Sequence, residues 1–268
     1  MGLKSRIKRV LRPGRAVEVL PTSQDKVMAG RRVLVTGGTS GIGRAAVELL
    51  VRCGAEVAFT GRPGNRELAE IEAVLGRAVH GIEYDAGERP AGDLLERAAD
   101  VLEGSPDCLF ANAGVYTDGE GVWGAEPVDR VLRVNLIATV ELVNEFITRL
   151  VAEGRRGTVV ATGSNRGLMP DSVPYGLSKV ALHSFIQGVA REHYRDGIRA
   201  NVVAPGMTAS NINGVDPDGD LAKGFATIGE GRVIRPEEIA EVVLFLLSDR
   251  SLCINGAVVP CDLGDSLR

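Results

Sequence analysis

From about residue 32 onward, short runs of β-branched and other apolar residues alternate with longer stretches whose apolar positions recur every three or four residues. The short runs predict strands at 33–36, 57–60, 79–84, 107–111, 158–162, 199–204 and 257–260. The longer stretches predict helices at 42–53, 66–75, 92–102, 127–153, 175–195 and 236–247. Pro236 followed by Glu237 and Glu238 marks a helix start, because proline suits the first turn and acids favour the dipole there. Strands alternating with helices fold into a parallel sheet covered on both faces, and right-handed crossovers wind it into one open, doubly wound α/β sheet of seven strands. No linker rich in Pro, Gly or Ser divides the chain, so 31–268 is expected to be a single domain.

Two segments fall outside the sheet. Residues 1–30 form a basic extension in which Leu3, Ile7, Val10 and Leu11 recur at helical spacing beneath the cations. It reads as an arm packing on a sister subunit, or as a tether to a membrane surface or to nucleic acid. Residues 207–231, rich in Gly, Asp and Asn, lie between the sixth strand and the last helix. A connection of that length in a compact domain reads as a substrate lid.

Composition narrows the classes. A chain of 268 residues that is 44% hydrophobic and 25% charged excludes disorder and fibrous repeats. The longest apolar run, 242–247, is far short of the roughly 18 residues a bilayer span needs, so no integral membrane association is expected. The N-terminus lacks the apolar core of a secretory leader, and Cys53, Cys108, Cys253 and Cys261 show no CxxC spacing. Only His80, His183 and His193 could join them, which leads to a cytoplasmic protein without a structural metal. The net charge is −4; the first fifteen residues carry +6 with no acid, which leaves −10 for the rest. A body that acidic has no electrostatic footprint for nucleic acid.

The first strand runs into Thr36-Gly37-Gly38-Thr39-Ser40-Gly41-Ile42-Gly43 and then directly into a helix. Gly37 permits a tight turn, Gly41 lets a pyrophosphate approach the backbone, and Gly43 lets helix and strand pack closely. Thr39, Ser40 and Ile42 complete the turn, whose helix N-terminus can hold phosphates in the manner of a Rossmann fold. The second strand ends Phe59-Thr60-Gly61-Arg62, with glycine where an acid would grip the ribose of NAD(H) and Arg62 beside it. This favours NADP(H) over NAD(H), a solvated surface arginine being the other reading of Arg62. The third strand ends in Tyr84-Asp85. The fourth ends in Ala111-Asn112-Ala113-Gly114, whose small residues leave room for the adenosine and whose Asn112 can tie neighbouring strands together.

Tyr175 and Lys179 stand at i and i+4 on one helix face. An unaided phenol, with a pKa near 10, is only about 0.1% ionised at pH 7, and bringing it to neutrality takes roughly 4 kcal/mol of preferential interaction with the phenolate. A neighbouring ammonium supplies such an interaction, and a phenol tuned in this way can protonate an alkoxide or deprotonate an alcohol.

With these motifs in this order, the chain resembles the short-chain dehydrogenase/reductase family from about residue 31 to 264. The resemblance is carried by TGGTSGIG at 36–43, ANAG at 111–114, Asn135, Ser164, YGLSK at 175–179 and NVVAPGMT at 201–208. It implies Tyr175 as general acid/base, Lys179 as the residue that lowers its pKa and bonds the nicotinamide ribose, Ser164 as the group polarising the substrate carbonyl, and Asn135, within the long fourth helix, as holder of a relay water. It implies Asp85 beside the adenine, Asn112 steadying the sheet, and Pro205, Gly206 and Thr208 around the nicotinamide. It further implies pro-S hydride transfer and a homotetramer or homodimer built through the fourth and fifth helices. The chain departs from the family pattern in Ala111, in Pro174 directly before Tyr175, in a Ser164–Tyr175 gap about two residues short, and in an early Thr208.

The expected activity is NADP(H)-dependent interconversion of a ketone and a secondary alcohol. Asn211, Asn213, Asp216, Asp218 and Asp220 in the lid, with aromatic residues at only 4% of the chain, point to a small polar substrate. The alternatives are a 3-oxoacyl-(acyl-carrier-protein) reductase and, in another class, a nucleotide-binding regulator without turnover.

Overall fold

A computed structural model describes residues 26–116, 123–210, 215, 216, 219, 221 and 231–267. The expected helix on Leu3 to Leu11 and most of the expected lid, including Asn211, Asn213, Asp218 and Asp220, lie outside the described residues.

The elements in chain order are β1 (Arg32–Val35), α1 (Gly41–Arg52), β2 (Glu56–Gly61), α2 (Glu67–Leu75), β3 (Val79–Glu83), α3 (Ala91–Val101), β4 (Cys108–Ala111), α4 (Ala125–Leu132), α5 (Ala138–Ala152), β5 (Gly157–Thr162), α6 (Pro174–His193), β6 (Ile198–Pro205), α7 (Pro236–Leu247) and β7 (Val258–Cys261). The seven strands form one sheet, ordered β3-β2-β1-β4-β5-β6-β7, and every pairing is parallel.

Side chains alternate between two apolar layers, as the pleat requires. Val33, Val35, Val57, Phe59, Cys108, Phe110, Val160 and Val203 face α1, α2 and α7. Leu34, Ala58, Leu109, Val159, Ala161 and Val202 face α3, α5 and α6. Burial on both faces is why the strands read as unbroken apolar runs. Strand order reverses between β1 and β4, and the crevice beyond the carboxyl ends of these strands is where such sheets take ligands.

Three differences from the sequence reading have physical causes. Met28, assigned to the extension, is fully buried in the core, and its N–H donates to the Cys53 carbonyl at 3.0 Å, so the domain includes the last residues of that segment. The helix expected at 127–153 is interrupted by a π-helical turn, Arg133–Ile137, in which the Ala138 N–H reaches back to the Arg133 carbonyl. That wide turn carries Asn135; π-turns within helices are frequent at functional sites. The segment after β6 is partly tied down: Thr208 bridges to Ile234, and Ala209, Leu221 and Val233 form a small buried cluster.

One buried cation closes the fold's far end. Arg199 in β6 donates to the carbonyls of Leu246 (3.0 Å), Ser248 (3.1 Å) and Ile254 (3.3 Å). The first two leave the C-terminal end of α7, where carbonyls lack helical partners.

Candidate active site

At the carboxyl end of β1 the turn is shaped by glycines that no other residue can replace without movement. Gly37 and Gly41 adopt φ of +65° and +52°. A Cβ on Gly43 would sit 2.0 Å from the Gly37 carbonyl oxygen and 2.6 Å from Asn112 Nδ2. Ser40 has extended backbone and makes no side-chain cap, and the first turn of α1 holds no acid, so the first-turn amides of Gly41, Ile42 and Gly43 and the helix dipole are suited to an anion. These features fit the pyrophosphate of a dinucleotide.

The turn is fastened by neutral hydrogen bonds. Asn112 Nδ2 donates to the carbonyls of Thr36 (3.2 Å) and Gly37 (3.1 Å), while Thr162 Oγ1 donates to Asn112 Oδ1 at 3.0 Å. One amide thereby links β1, β4 and β5. Two hydroxyls given no role in the sequence reading share the work. Thr36 Oγ1 accepts from the N–H groups of Asn112 (2.9 Å) and Ala113 (3.0 Å), and Thr60 Oγ1 accepts from Gly37 N–H at 3.0 Å. Ala113 lies against Gly37, whose Cβ would come 3.0 Å from the Ala113 Cα, and Gly114 faces Asn135 at ordinary contact distance.

Beyond β2 and β3 an open cleft is lined by Arg62, Pro63, Gly64, Asn65, Asp85 and Glu88. Arg62 and Asp85, far apart in sequence, share this cleft. A Cβ on Gly61 would come within 2.7 Å of the Thr39 methyl group, so an acidic side chain has no room at that position. Asn65, overlooked in the sequence, donates to Thr39 Oγ1 at 3.3 Å and ties the cleft to the glycine turn.

The second cluster stands at the carboxyl end of β5. Proline opens α6, with Val173 before it extended, as residues before proline prefer. This start places the Tyr175 phenol near the serine that follows β5, close enough for the Ser164 hydroxyl to favour the phenolate. One turn on, Lys179 Nζ lies 5.5 Å from the Tyr175 ring centroid and donates to the Thr162 carbonyl at 2.7 Å. Asn135 is buried; its Oδ1 accepts from Val115 N–H (2.8 Å), and its Nδ2 donates to the Val115 carbonyl (2.9 Å) and reaches Ser178 Oγ at 3.4 Å. Ser178 in turn donates to the Tyr175 carbonyl at 2.6 Å. Asn135, Ser164, Tyr175 and Lys179 therefore converge.

The electrostatics add a contribution to the expected one of Lys179. Burial pushes the Tyr175 phenol above its ordinary value, while the Ser164 hydroxyl and then the Arg166 cation pull it down. Burial also lowers the Lys179 ammonium to about 8. A second cation thus favours the phenolate: Arg166, which forks onto Asp171, with Nη2 2.8 Å from Oδ1. Asp171 also accepts the Val173 N–H at 2.9 Å and leaves no space for a side chain at Gly176. Tyr116 completes the wall, edge-on to Tyr175 with ring centroids 5.2 Å apart.

Pro205 ends β6 opposite these groups. Gly206 donates to the Cys261 carbonyl at 3.0 Å and abuts Asp262, and Thr208 Oγ1 donates to the Gly206 carbonyl at 3.1 Å. The tight approach to Asp262 accounts for glycine at 206.

Comparison with known proteins agrees with this geometry. A family model described as enoyl-(acyl carrier protein) reductase matches residues 37–266. An L-rhamnose 1-dehydrogenase (NAD(P)(+)) of Sphingomonas sp. is 31% identical, over 89% of this chain and 97% of that protein. A 3-oxoacyl-(acyl-carrier-protein) reductase of Aquifex aeolicus is 33% identical, over 87% of this chain and 96% of that protein. Among solved structures, levodione reductase superposes with a TM-score of 0.80 at 26% identity, covering 89% of this chain and 98% of that one.

Proposed function

The chain belongs to the short-chain dehydrogenase/reductase family of oxidoreductases, which use NAD(P), and from that premise we propose that it interconverts a ketone and a secondary alcohol on a small polar substrate with NADP(H). The observation that carries the reading is the Tyr175 phenol, with Ser164 close enough to favour its phenolate and the Lys179 ammonium 5.5 Å from its ring centroid, at the carboxyl end of the sheet.

Each residue then has a task. Tyr175 gives its proton to the substrate oxygen in reduction and takes one back in oxidation. Ser164 hydrogen-bonds the same oxygen. Lys179 holds the nicotinamide ribose, and Asn135, anchored by its two bonds to Val115, holds a relay water near the π-helical turn. Gly37, Thr39, Ser40, Gly41, Ile42 and Gly43 take the pyrophosphate, and Asn112, Ala113 and Gly114 form the facing wall. Asp85 takes the adenine, Arg62 the ribose phosphate, and Pro205, Gly206 and Thr208 flank the nicotinamide. When bound, the nicotinamide supplies or accepts the hydride.

The crowding at Gly61 and the exposed Arg62 support NADP(H). A small polar substrate has the support of Tyr116 and the Arg166–Asp171 fork on the pocket wall. An acyl-carrier-protein thioester is the second reading, favoured by the 33% identity to a reductase of that class; against it, the charge of Arg166 is already matched by Asp171. Among the described residues no helix is long and apolar enough to cross a membrane. Exposed Ile137, Val151, Leu177 and Val180 support assembly into a homotetramer or homodimer through α5 and α6.

The test is a panel of ketones, aldoses, polyols and a short acetoacetyl thioester, followed by nicotinamide absorbance with NADPH and NADH in parallel. A polar ketone or polyol turned over preferentially with the phosphorylated cofactor is the expected result; preference for the thioester selects the second reading.

A further inference from the structure

His183 lies one turn after Lys179 on α6, buried beneath the chain that carries Ser164. Its Nε2 accepts the Ser164 backbone N–H at 3.4 Å. The loop is moulded on the ring: a Cβ on Gly163 would fall 2.2 Å from Nε2, and one on Gly167 2.5 Å from Cε1. Between these glycines the loop closes on itself, Gly167 N–H donating to the Ser164 carbonyl at 2.9 Å. The Arg166 N–H also donates to Ser164 Oγ at 3.2 Å, so the hydroxyl's position follows the backbone of this turn.

Resting on the reading above, we infer that His183 is a positioning residue for Ser164: its neutral imidazole, accepting at Nε2, fixes the serine backbone and thereby the direction from which the hydroxyl meets the substrate oxygen and the Tyr175 phenol. The ring does not touch the reacting atoms. A buried N–H needs an acceptor, and on this side of the turn the imidazole is that acceptor. An apolar side chain of similar size would fill the space and leave the Ser164 N–H without it. The neutral form is maintained by burial and by the Lys179 cation, which together lower the imidazole to about 4, against a hydrogen bond to the Gly167 backbone that favours the proton. With Nε2 accepting, the ring proton belongs on Nδ1.

The experiment compares the full-length protein with His183→Leu and His183→Gln, the glutamine keeping both an acceptor and a donor. For His183→Leu the expected results are an NADPH dissociation constant within about twofold, since the dinucleotide turn is untouched, and a kcat lower by roughly 10- to 100-fold, the cost of an ångström-scale misplacement. The kinetic pKa of the phenol should rise, because the serine hydroxyl that favours the phenolate is misdirected. His183→Gln should recover most of kcat and return that pKa. A leucine variant with unchanged kcat, or a glutamine variant as impaired as leucine, overturns the inference and reduces His183 to core filling.

Nitrogen-15 NMR of the wild-type imidazole supplies a readout that needs neither a stable variant nor a substrate. A Nδ1–H tautomer with a hydrogen-bonded, unprotonated Nε2 throughout neutral pH is expected; a Nε2–H tautomer or an imidazolium overturns the inference. If the panel yields no substrate, the proposed ketone–alcohol activity fails while the NMR result still decides this one.

Discussion

The two halves of the site are built from different materials. The dinucleotide side, at the ends of β1, β2 and β4, consists of glycines, backbone amides and neutral side chains, with Thr36, Thr60 and Asn112 exchanging hydrogen bonds. The proton-transfer side, at the end of β5 and the start of α6, consists of titratable groups packed away from water, with Lys179 lowered to about 8 and His183 to about 4. The first half works by shape, which tolerates pH but not added atoms. The second works by charge in a poorly solvated place, where small changes of polarity are amplified.

On the dinucleotide side the contrast can be broken hardest at Gly43. Alanine there places a methyl group 2.0 Å from the Gly37 carbonyl oxygen, and the loop must move. We expect NADPH affinity, measured by fluorescence titration, to fall about 100-fold, or about 2.7 kcal/mol. The acid-range stability of the other half should not change.

That stability is the second test, with an effect of similar size. The unfolded imidazole takes a proton near its ordinary value of 6.5, whereas the folded one resists until about 4. The unfolded state therefore binds more protons between these limits, and stability is lost as pH falls from about 6.5 to 4. By linkage this amounts to at most about 3 kcal/mol. Denaturant unfolding of wild type against His183→Gln across that range should show the wild type falling more steeply. Parallel curves would mean that the ring is protonated when folded.

Arg166→Gln sharpens the comparison from the substrate side. Removing a cation that favours the phenolate should raise the kinetic pKa and slow alcohol oxidation at neutral pH, with NADPH binding unchanged. The smallest effect is at Arg62. Its replacement by alanine should weaken NADPH about fivefold and leave NADH unaffected, a charge-assisted contact at an exposed site. Equal losses for both cofactors would place the arginine away from the phosphate.

The same division explains what could be read from the chain. The seven strands and the glycine turn are written in neighbouring residues, because both depend on local periodicity and backbone freedom, and the parallel order follows from crossover handedness. Tyr175 and Lys179 are legible for the same reason, being one helical turn apart. Thr36 and Thr60 are ordinary strand-end hydroxyls until β1, β2 and β4 are side by side. Arg166 and Asp171 pair only because the short loop folds back before Pro174, and nothing local marks His183 as the residue beneath Ser164. The π-turn at Asn135 was hidden because the apolar spacing continues through it from α4 into α5.

The central claim is that the Tyr175 phenol moves the proton while the glycine turn binds the dinucleotide independently. Tyr175→Phe tests it most directly, with NADPH titration and turnover of the best panel substrate measured on the same preparation. Unchanged NADPH affinity with turnover reduced by roughly a thousandfold is the result predicted. Turnover within a few-fold of wild type would contradict the account.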